Sequence, residues 1–324
     1  MAVYTQISSK QLTDFLNQYD LGTLVSYEGI AQGVSNTNYH VFTSKGRYIL
    51  TLFEERRVNE ADLPFFFSFS EHLSKKGLLT PRALPNKKGE AIGRLAGKAA
   101  VLLNFLEGRD IPKSDLTAGH CASFGAGLAR MHVAAEGFGF MRKNSMGPEK
   151  WVSLADKTAE GADSFKSGLC SFIANELEEI LSLWPSQDHS PGIPVGTIHA
   201  DAFPDNVFFI DGQMSAVIDF YFSCTDFFAY DLALCINSWC FTPDHAFSPE
   251  RFFSLMNAYN VVRTLTVEEK SVLPLFCRGA AMRILLTRLE EYLEHDPETL
   301  MVPHDPGEYL TKLKFHKEEG LAGV

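Results

Sequence analysis

Early in the chain the apolar residues Leu12, Phe15, Leu16 and Tyr19 fall at i, i+3, i+4 and i+7. That stripe predicts a short amphipathic helix over 9–19, opened by a serine cap. The pattern then shortens: runs at 24–25, 39–42 and 48–53, each bounded by Gly, Asn, Ser or Lys-Gly, predict strands. Residues 61–77 carry Pro64 near the start and Gly77 at the end, the usual punctuation of a helix. Phe65, Phe66, Phe67 and Phe69 within it are read as core. The apolar run 99–103 predicts a buried strand that leaves through Asn104, Phe105, Leu106, Glu107 and Gly108.

From 115 onward helical spacing takes over. Leu116, Cys121, Phe124, Leu128 and Met131 recur at roughly that spacing, and 170–184, 226–240, 247–262, 267–277 and 278–295 each read as helices. Two short apolar runs, 207–210 and 216–218, interrupt this regime. Joined through Asp211-Gly212, they predict a β-hairpin that sets Asn206 and Asp219 at adjoining strand ends.

Around that hairpin lies the chemistry. His199, Asp201, Asn206 and Asp219-Phe220 stand in the order H-x-D-x-x-x-x-N followed by D-F, the catalytic order of a protein kinase. One carboxylate accepts a hydroxyl proton, while the asparagine and the second carboxylate hold magnesium against ATP phosphates. Asp and Asn are also common turn formers, so a structural hairpin with incidental carboxylates is the competing reading. The whole ordered set favours the kinase-like site. The expected fold class is therefore α+β, a two-lobed protein-kinase-like fold. A small antiparallel β-sheet lobe with one main helix spans 1–103, a hinge 104–108, and a larger, mostly helical lobe 109–324.

Upstream, the Gly-, Ser- and Asn-rich stretch from Gly29 to Tyr39 has the small residues that let a backbone approach phosphate oxygens, with Gly33, Ser35 and Asn36 as candidate contacts. It is no strict GxGxxG, and a plain hairpin turn has a similar composition. At Asn104, Phe105 and Leu106 the hinge backbone can pair with an adenine edge; a strand simply leaving its sheet explains the same residues.

Composition narrows the function further. The 324 residues carry a formal net charge of −11, with 45% hydrophobic and 21% charged residues. An acidic chain without a Lys/Arg cluster is not a general nucleic-acid binder. Six cysteines without a CxxC are read as buried thiols in a reducing cytoplasm, not as disulfides or zinc ligands. No apolar stretch approaches the ~18 residues of a membrane span, and the N-terminal residues lack a signal-peptide pattern. The expectation is a soluble, cytoplasmic protein that contacts neither membrane nor nucleic acid, as a monomer or homodimer.

The segments GIAQGVSNTNYHV, YILTLFEER, LLNFLEG, LARMH, TIHADAFPDNVFF, VIDFYFSC and YDLALCINSWC resemble the aminoglycoside phosphotransferase and choline kinase superfamily. The resemblance runs from about residue 3 to the HDPGEYLTKL stretch and is strongest to bacterial homoserine kinases. It implies transfer of the ATP γ-phosphate to the hydroxyl of L-homoserine, giving O-phospho-L-homoserine on the route to threonine. Asp201 would be the base, Asn206 and Asp219 the Mg2+ ligands, and 104–107 the adenine hinge. His199 would brace the loop, and Asp231 would anchor it from the following helix. Thr51 stands where most kinases of this kind place a phosphate-pairing lysine, a departure that homoserine kinases share; Arg56 and Arg57 are candidate substitutes.

Homoserine carries a carboxylate and an ammonium, so its pocket needs a fork of donors and an acceptor. Arg278, Arg283 and Arg288 stand five apart, about 500° of helical rotation, and cannot all face one pocket. Arg278 or Arg283 is the carboxylate candidate, against surface salt bridging with Glu290, Glu291 and Glu294. Asn237 and Trp239 are further candidates, with core packing the alternative for Trp239. Three other functions compete: a kinase acting on choline, methylthioribose or an aminoglycoside; a non-catalytic nucleotide-binding module; and a metal-dependent hydrolase, for which no second histidine stands at suitable spacing.

Overall fold

A computed structural model describes residues 4–30, 36–54, 58–187, 190, 192–296 and 302–321. The chain forms two compact units. The first comprises Met1–Gly108 with Ser215–Tyr221; the second comprises Arg109–Met214 with Phe222–Val324. The return of Ser215–Tyr221 to the first unit departs from an uninterrupted second lobe, and it carries Asp219 with it.

The first unit is built on an antiparallel sheet of order β1-β2-β3-β5-β4. Its strands are β1 (Leu24–Gly29), β2 (Thr37–Thr43), β3 (Gly46–Leu52), β4 (Gly93–Leu95) and β5 (Lys98–Asn104). Helix α1 (Ser9–Leu16) begins at a Ser8–Gln11 capping box and buries Leu12, Phe15 and Leu16. These pack with Val41, Leu50, Leu52 and Leu102 in one core. On the other core, α2 (Leu63–Lys75) buries Phe66 and Phe69 completely, while Phe65 and Phe67 pack at the margin. Residues 215–221 join through Val217 N, which donates to Leu79 O, and through Phe220 against Phe69.

The second unit is mainly helical. It contains α3 (Ala118–Ala135), α4 (Pro148–Phe165), α5 (Leu169–Leu183), α6 (Phe228–Trp239), α7 (Pro249–Val262), α8 (Val267–Leu293) and α9 (Pro306–Glu318). Helix α3 packs on α7 at Gly125, where an added Cβ would stand 2.3 Å from Leu255 O. Residues 267–277 and 278–295, expected as two helices, are one. Pro274 removes a hydrogen bond inside α8, but Leu273, Phe276, Cys277, Ala280 and Ala281 continue one buried stripe across it, and packing outweighs the break.

Two small sheets complete the unit. β6 (Val195–Ile198) pairs antiparallel with β9 (Cys224–Phe227), and β7 (Val207–Ile210) pairs with β8 (Gln213–Val217), whose end carries the chain back into the first unit. All six cysteines are free, and only Cys170 is not buried. No described helix is long and apolar enough to cross a membrane.

Candidate active site

The register of the β6–β9 pair sets Ile198 opposite Cys224, so the chain enters α6 beside the end of β6. Asp231, in the first turn of α6 and fully buried, turns back to that end. Its Oδ1 accepts from Ala200 N at 2.8 Å and its Oδ2 from His199 N at 3.1 Å. His132 Nε2, on α3, lies 3.0 Å from the same Oδ2, and His132 Nδ1 lies 2.7 Å from the Tyr259 hydroxyl. Burial pulls the His132 pKa down, while His132 and the loop amides lower that of Asp231 against its own burial. The folded state therefore holds a neutral imidazole beside a carboxylate, which makes Nε2 the donor and Nδ1 the acceptor of the Tyr259 proton.

Ala200 has φ of 63°, in the left-handed region that costs an L-residue about 1–2 kcal/mol. Both of its backbone polar groups are held, the N–H by Asp231 and the carbonyl by Arg283 Nη1 at 2.9 Å. Two residues on, Trp239 Nε1 donates to Ala202 O at 2.8 Å, with its ring stacked on Phe124. The intervening Asp201 is thus presented on a loop fixed before and after it. Asp201 N donates to His199 Nδ1 at 3.2 Å, and Asn206 Nδ2 reaches Asp201 O at 2.8 Å and Asp201 Oδ2 at 3.1 Å. Because both Asn206 contacts use its amide nitrogen, Oδ1 is left as an acceptor, the hard oxygen that a magnesium ion takes. Among the described residues no cluster of three His, Cys, Asp or Glu side chains forms a self-sufficient metal site. A carboxylate, an amide oxygen and nucleotide phosphates suit magnesium without one.

Asp219 belongs to the first unit and also has positive φ, 64°. The nearby Tyr221 packs edge-on against Phe53 and Phe66. Burial raises its pKa, the charge of Asp219 adds to the rise, and a hydrogen bond with Thr51 opposes it. Thr51 in turn donates to Asn38 Oδ1 at 2.7 Å. The β3 position that holds a lysine in most kinases is thus part of a neutral hydroxyl–amide chain beside Asp219.

Of the candidate nucleotide contacts, Gly33 and Ser35 lie outside the described residues, as do Arg56 and Arg57. Asn36 is buried, and its Oδ1 accepts from Glu54 N at 3.3 Å. Asn104 ends β5 and uses its own N–H and Oδ1 on Arg82. Phe105 lies beneath the Arg47 guanidinium, 4.2 Å from ring centroid to Cζ, and Leu106 is buried.

The acceptor-site candidates divide. Arg278 is neutralised by Glu176 at 2.6 Å and Glu179 at 3.0 Å, an ion cluster joining α8 to α5. Asn237 is buried with Nδ2 on Ala233 O and Cys277 O and Oδ1 on His316, so its polar atoms are occupied in the core. Arg283 and Trp239 instead hold the loop around Asp201. Sequence reasoning missed His132 and Tyr259 and, around Arg288, the charged residues Lys113, Glu308 and Lys312. The signals were a histidine on the apolar face of α3 and the acidic-basic alternation of the HDPGEYLTKL segment.

Comparison with known proteins follows the same line. Residues 26–263 match the model of the phosphotransferase enzyme family. Homoserine kinase from Rhizobium meliloti is 47% identical over 317 residues, 98% of this chain and 95% of the relative. That from Bradyrhizobium diazoefficiens is 46% identical over 318 residues, again 98% and 95%. Among solved structures, an amicoumacin kinase complexed with AMP-PNP, Ca2+ and amicoumacin has a TM-score of 0.70 at 16% identity, covering 96% of this chain and 93% of its own. Choline kinase from Cryptosporidium parvum has a TM-score of 0.67 at 13% identity, covering 96% and 94%. The α+β architecture is the kinase-like fold of these proteins.

Proposed function

Because the chain belongs to the phosphotransferase enzyme family, and within it to the homoserine kinases, we propose that it transfers the γ-phosphate of ATP to the hydroxyl of L-homoserine. The observation that carries the reading is the fixed presentation of Asp201, whose carboxylate is oriented by Asn206 on a loop tied to Asp231, Arg283 and Trp239. Phosphoryl transfer asks a protein mainly for positioning and charge neutralisation, and a clamped loop supplies the first.

In this reading Asp201 accepts the hydroxyl proton of homoserine as its oxygen attacks the γ-phosphorus, and ADP leaves. Asn206 and Asp219 would hold magnesium, whose charge would offset that of the ATP phosphates. His199 accepts from the Asp201 amide and fixes the direction of the base. Asn36, Gly33 and Ser35 serve the phosphates, and the backbone of Asn104, Phe105 and Leu106 serves adenine. With Thr51 in place of the β3 lysine, magnesium alone, or Arg56 or Arg57, would offset the phosphate charge. The enzyme works in the cytoplasm, where ATP and amino acids meet.

ADP release measured with homoserine, choline, methylthioribose and an aminoglycoside tests the assignment. Homoserine should exceed each of the others by at least 100-fold in kcat/KM. Equal or greater turnover of another alcohol would replace the substrate, and no acceptor-dependent ADP with any of them would end the kinase reading.

A further inference from the structure

Helices α8 and α9, with Lys113 from the short turn Lys113–Asp115, bring three cationic side chains of the second unit together around the carboxylate of Glu308. Glu308 Oε1 meets Lys312 Nζ at 2.6 Å and Lys113 Nζ at 3.0 Å, while Glu308 Oε2 meets Arg288 Nη1 at 2.6 Å. Lys312 is 1% exposed. The side chains of Arg288 and Glu308 are 11% and 13% exposed. The group therefore holds three positive charges against one negative. Arg288 Nη1 also donates to the carbonyl of Asp305 at 3.2 Å, but its Nε and Nη2 bond to no described residue.

Two near-buried cations sharing a single carboxylate are an unfavourable arrangement unless another anion joins them. Ring faces do not supply it. Tyr309 lies 4.6 Å from Arg288 Cζ and 4.3 Å from Lys312 Nζ, and Phe241 lies 5.2 Å from the latter. Such contacts soften a positive charge without cancelling it. Burial brings the Lys312 pKa down to about 8 even beside Glu308, and the charges of Lys113 and Arg288 oppose the carboxylate.

Helix α8 ties the cluster to the reaction. Arg283 holds the carbonyl of Ala200, next to Asp201, at 2.9 Å. Arg288 follows it by five residues on the same helix, about 7.5 Å of rise, so α8 runs from the loop of the proposed base to the cluster. An acceptor that offers its hydroxyl to Asp201 and carries an anionic group a few bonds away would span the two.

We propose that Arg288 and Lys312, steadied by Glu308, bind the α-carboxylate of the amino-acid acceptor and select it over neutral alcohols. This rests on the homoserine reading above and names the residues that would carry its specificity. The planar Nε and Nη2 edge of Arg288 matches a carboxylate in two parallel bonds. Lys312 uses one donor on Glu308 and adds a second, point-like charge. Glu308 keeps the two cations from repelling each other when no ligand is bound.

The test compares L-homoserine with 3-aminopropan-1-ol, which keeps the hydroxyl and ammonium and lacks the carboxylate. Arg288→Gln and Lys312→Met should each raise the homoserine KM about 10- to 100-fold, the worth of a charge-assisted bond, with the ATP KM within twofold. Each should also lower the homoserine to aminopropanol ratio of kcat/KM at least tenfold. An unchanged ratio in folded variants overturns the proposal. A crystal structure of the wild-type protein with L-homoserine decides the matter where a variant fails to fold. The carboxylate on Arg288 and Lys312 supports it; the carboxylate elsewhere overturns it. Wild-type protein that turns over no homoserine removes the functional reading, and this inference with it; turnover with unaltered variants removes this inference alone.

Discussion

His132 Nε2 stands 3.0 Å from Asp231 Oδ2, both side chains fully buried, and this contact links α3 to the loop that presents Asp201. It is one link in a directed chain. Arg263 Nη1 donates to the Tyr259 oxygen at 3.1 Å, Tyr259 donates to His132, His132 donates to Asp231, and Asp231 receives the amides of His199 and Ala200. Arg263 is itself paired with the buried Glu269 at the start of α8.

Asp231→Asn should damage this chain more than a single lost bond would. An asparagine offers one acceptor oxygen where the carboxylate serves three donors, and its amide group turns a donor toward them. The expected loss of stability is about 3 kcal/mol, from buried donors left unmatched. In whatever folds, kcat should fall far more than the ATP KM rises, since the variant loosens the Asp201 loop. Urea unfolding and steady-state kinetics on the same preparation check both.

The buried histidines give the stability a defined pH dependence. His132 has a lowered pKa, and that of His316 is brought down to about 3 by burial and the nearby Lys312. Unfolded histidine titrates near 6.5. Below that pH the unfolded chain takes up protons that the folded chain refuses, so acid destabilises the protein until each folded pKa is passed. The slope should reach up to about 1.4 kcal/mol per pH unit for each histidine. Asp231 acts at lower pH in the same direction, because its lowered pKa gives stability that is lost as pH falls below the unfolded value near 3.9. Replacing His316 with glutamine should remove one histidine's share of the slope between pH 6.5 and 5. An unaltered slope in urea titrations would show that His316 is charged in the fold.

Asp201→Asn keeps the shape of the loop and removes the proposed base. Turnover should fall about 10²- to 10⁴-fold, the range of general-base assistance. ATP affinity should be nearly unchanged, and so should the melting temperature, because Asp201 N and O keep their bonds to His199 and Asn206. Single-turnover kinetics with saturating ATP separates this from a binding defect; a variant with close to full kcat removes Asp201 from the role.

Much of the candidate site was legible because its residues lie in one short stretch. The order of His199, Asp201, Asn206 and Asp219 needs no tertiary information, and α2 announced itself through Pro64, Gly77 and its phenylalanines. What supports the loop was not legible. Trp239 lies 37 residues from its partner Ala202, and Arg283 lies 83 from Ala200, distances that periodicity does not bridge. Helix α4 escaped because its buried face mixes Trp151 and Leu154 with Thr158 and Ala162, a weak apolar stripe. Strands β6 and β9, four residues each, are too short to show an alternation.

Trp239→Phe tests whether that distant support matters to catalysis. The ring can stay on Phe124, so the main loss is the Nε1 bond to Ala202 O, whose other contact is the Cys235 thiol at 3.9 Å. Leaving a buried carbonyl without its strong donor costs about 1–3 kcal/mol. The substitution should lower stability by that amount and reduce kcat several-fold with little effect on ATP binding. Loss of stability with undiminished kcat would mean that the loop keeps its shape without the bond.

Arg283 and Arg278 are five residues apart on α8, and the structure separates what their removal should do. Arg278 is charge-balanced by Glu176 and Glu179, so Arg278→Met leaves the fully buried Glu176 with Lys317 as its one remaining cation among the described residues. That variant should lose about 3 kcal/mol or more of stability, as expected for a broken buried ion pair, with the kinetics of the folded fraction intact. Arg283 has no carboxylate within ion-pair distance among the described residues, and its Nη1 donates to Ala200 O, the carbonyl of the left-handed residue before Asp201. Releasing that carbonyl frees Ala200 to leave its unfavourable φ, and the peptide that orients Asp201 moves with it. Arg283→Met should therefore lower kcat at least tenfold while leaving the KM for ATP largely unchanged. Ala200→Gly makes the left-handed conformation easy, so in the Arg283→Met background it should restore part of the lost kcat. Rescue by glycine points to strain released at Ala200, whereas a double variant no faster than Arg283→Met alone would place the role of Arg283 on the substrate instead.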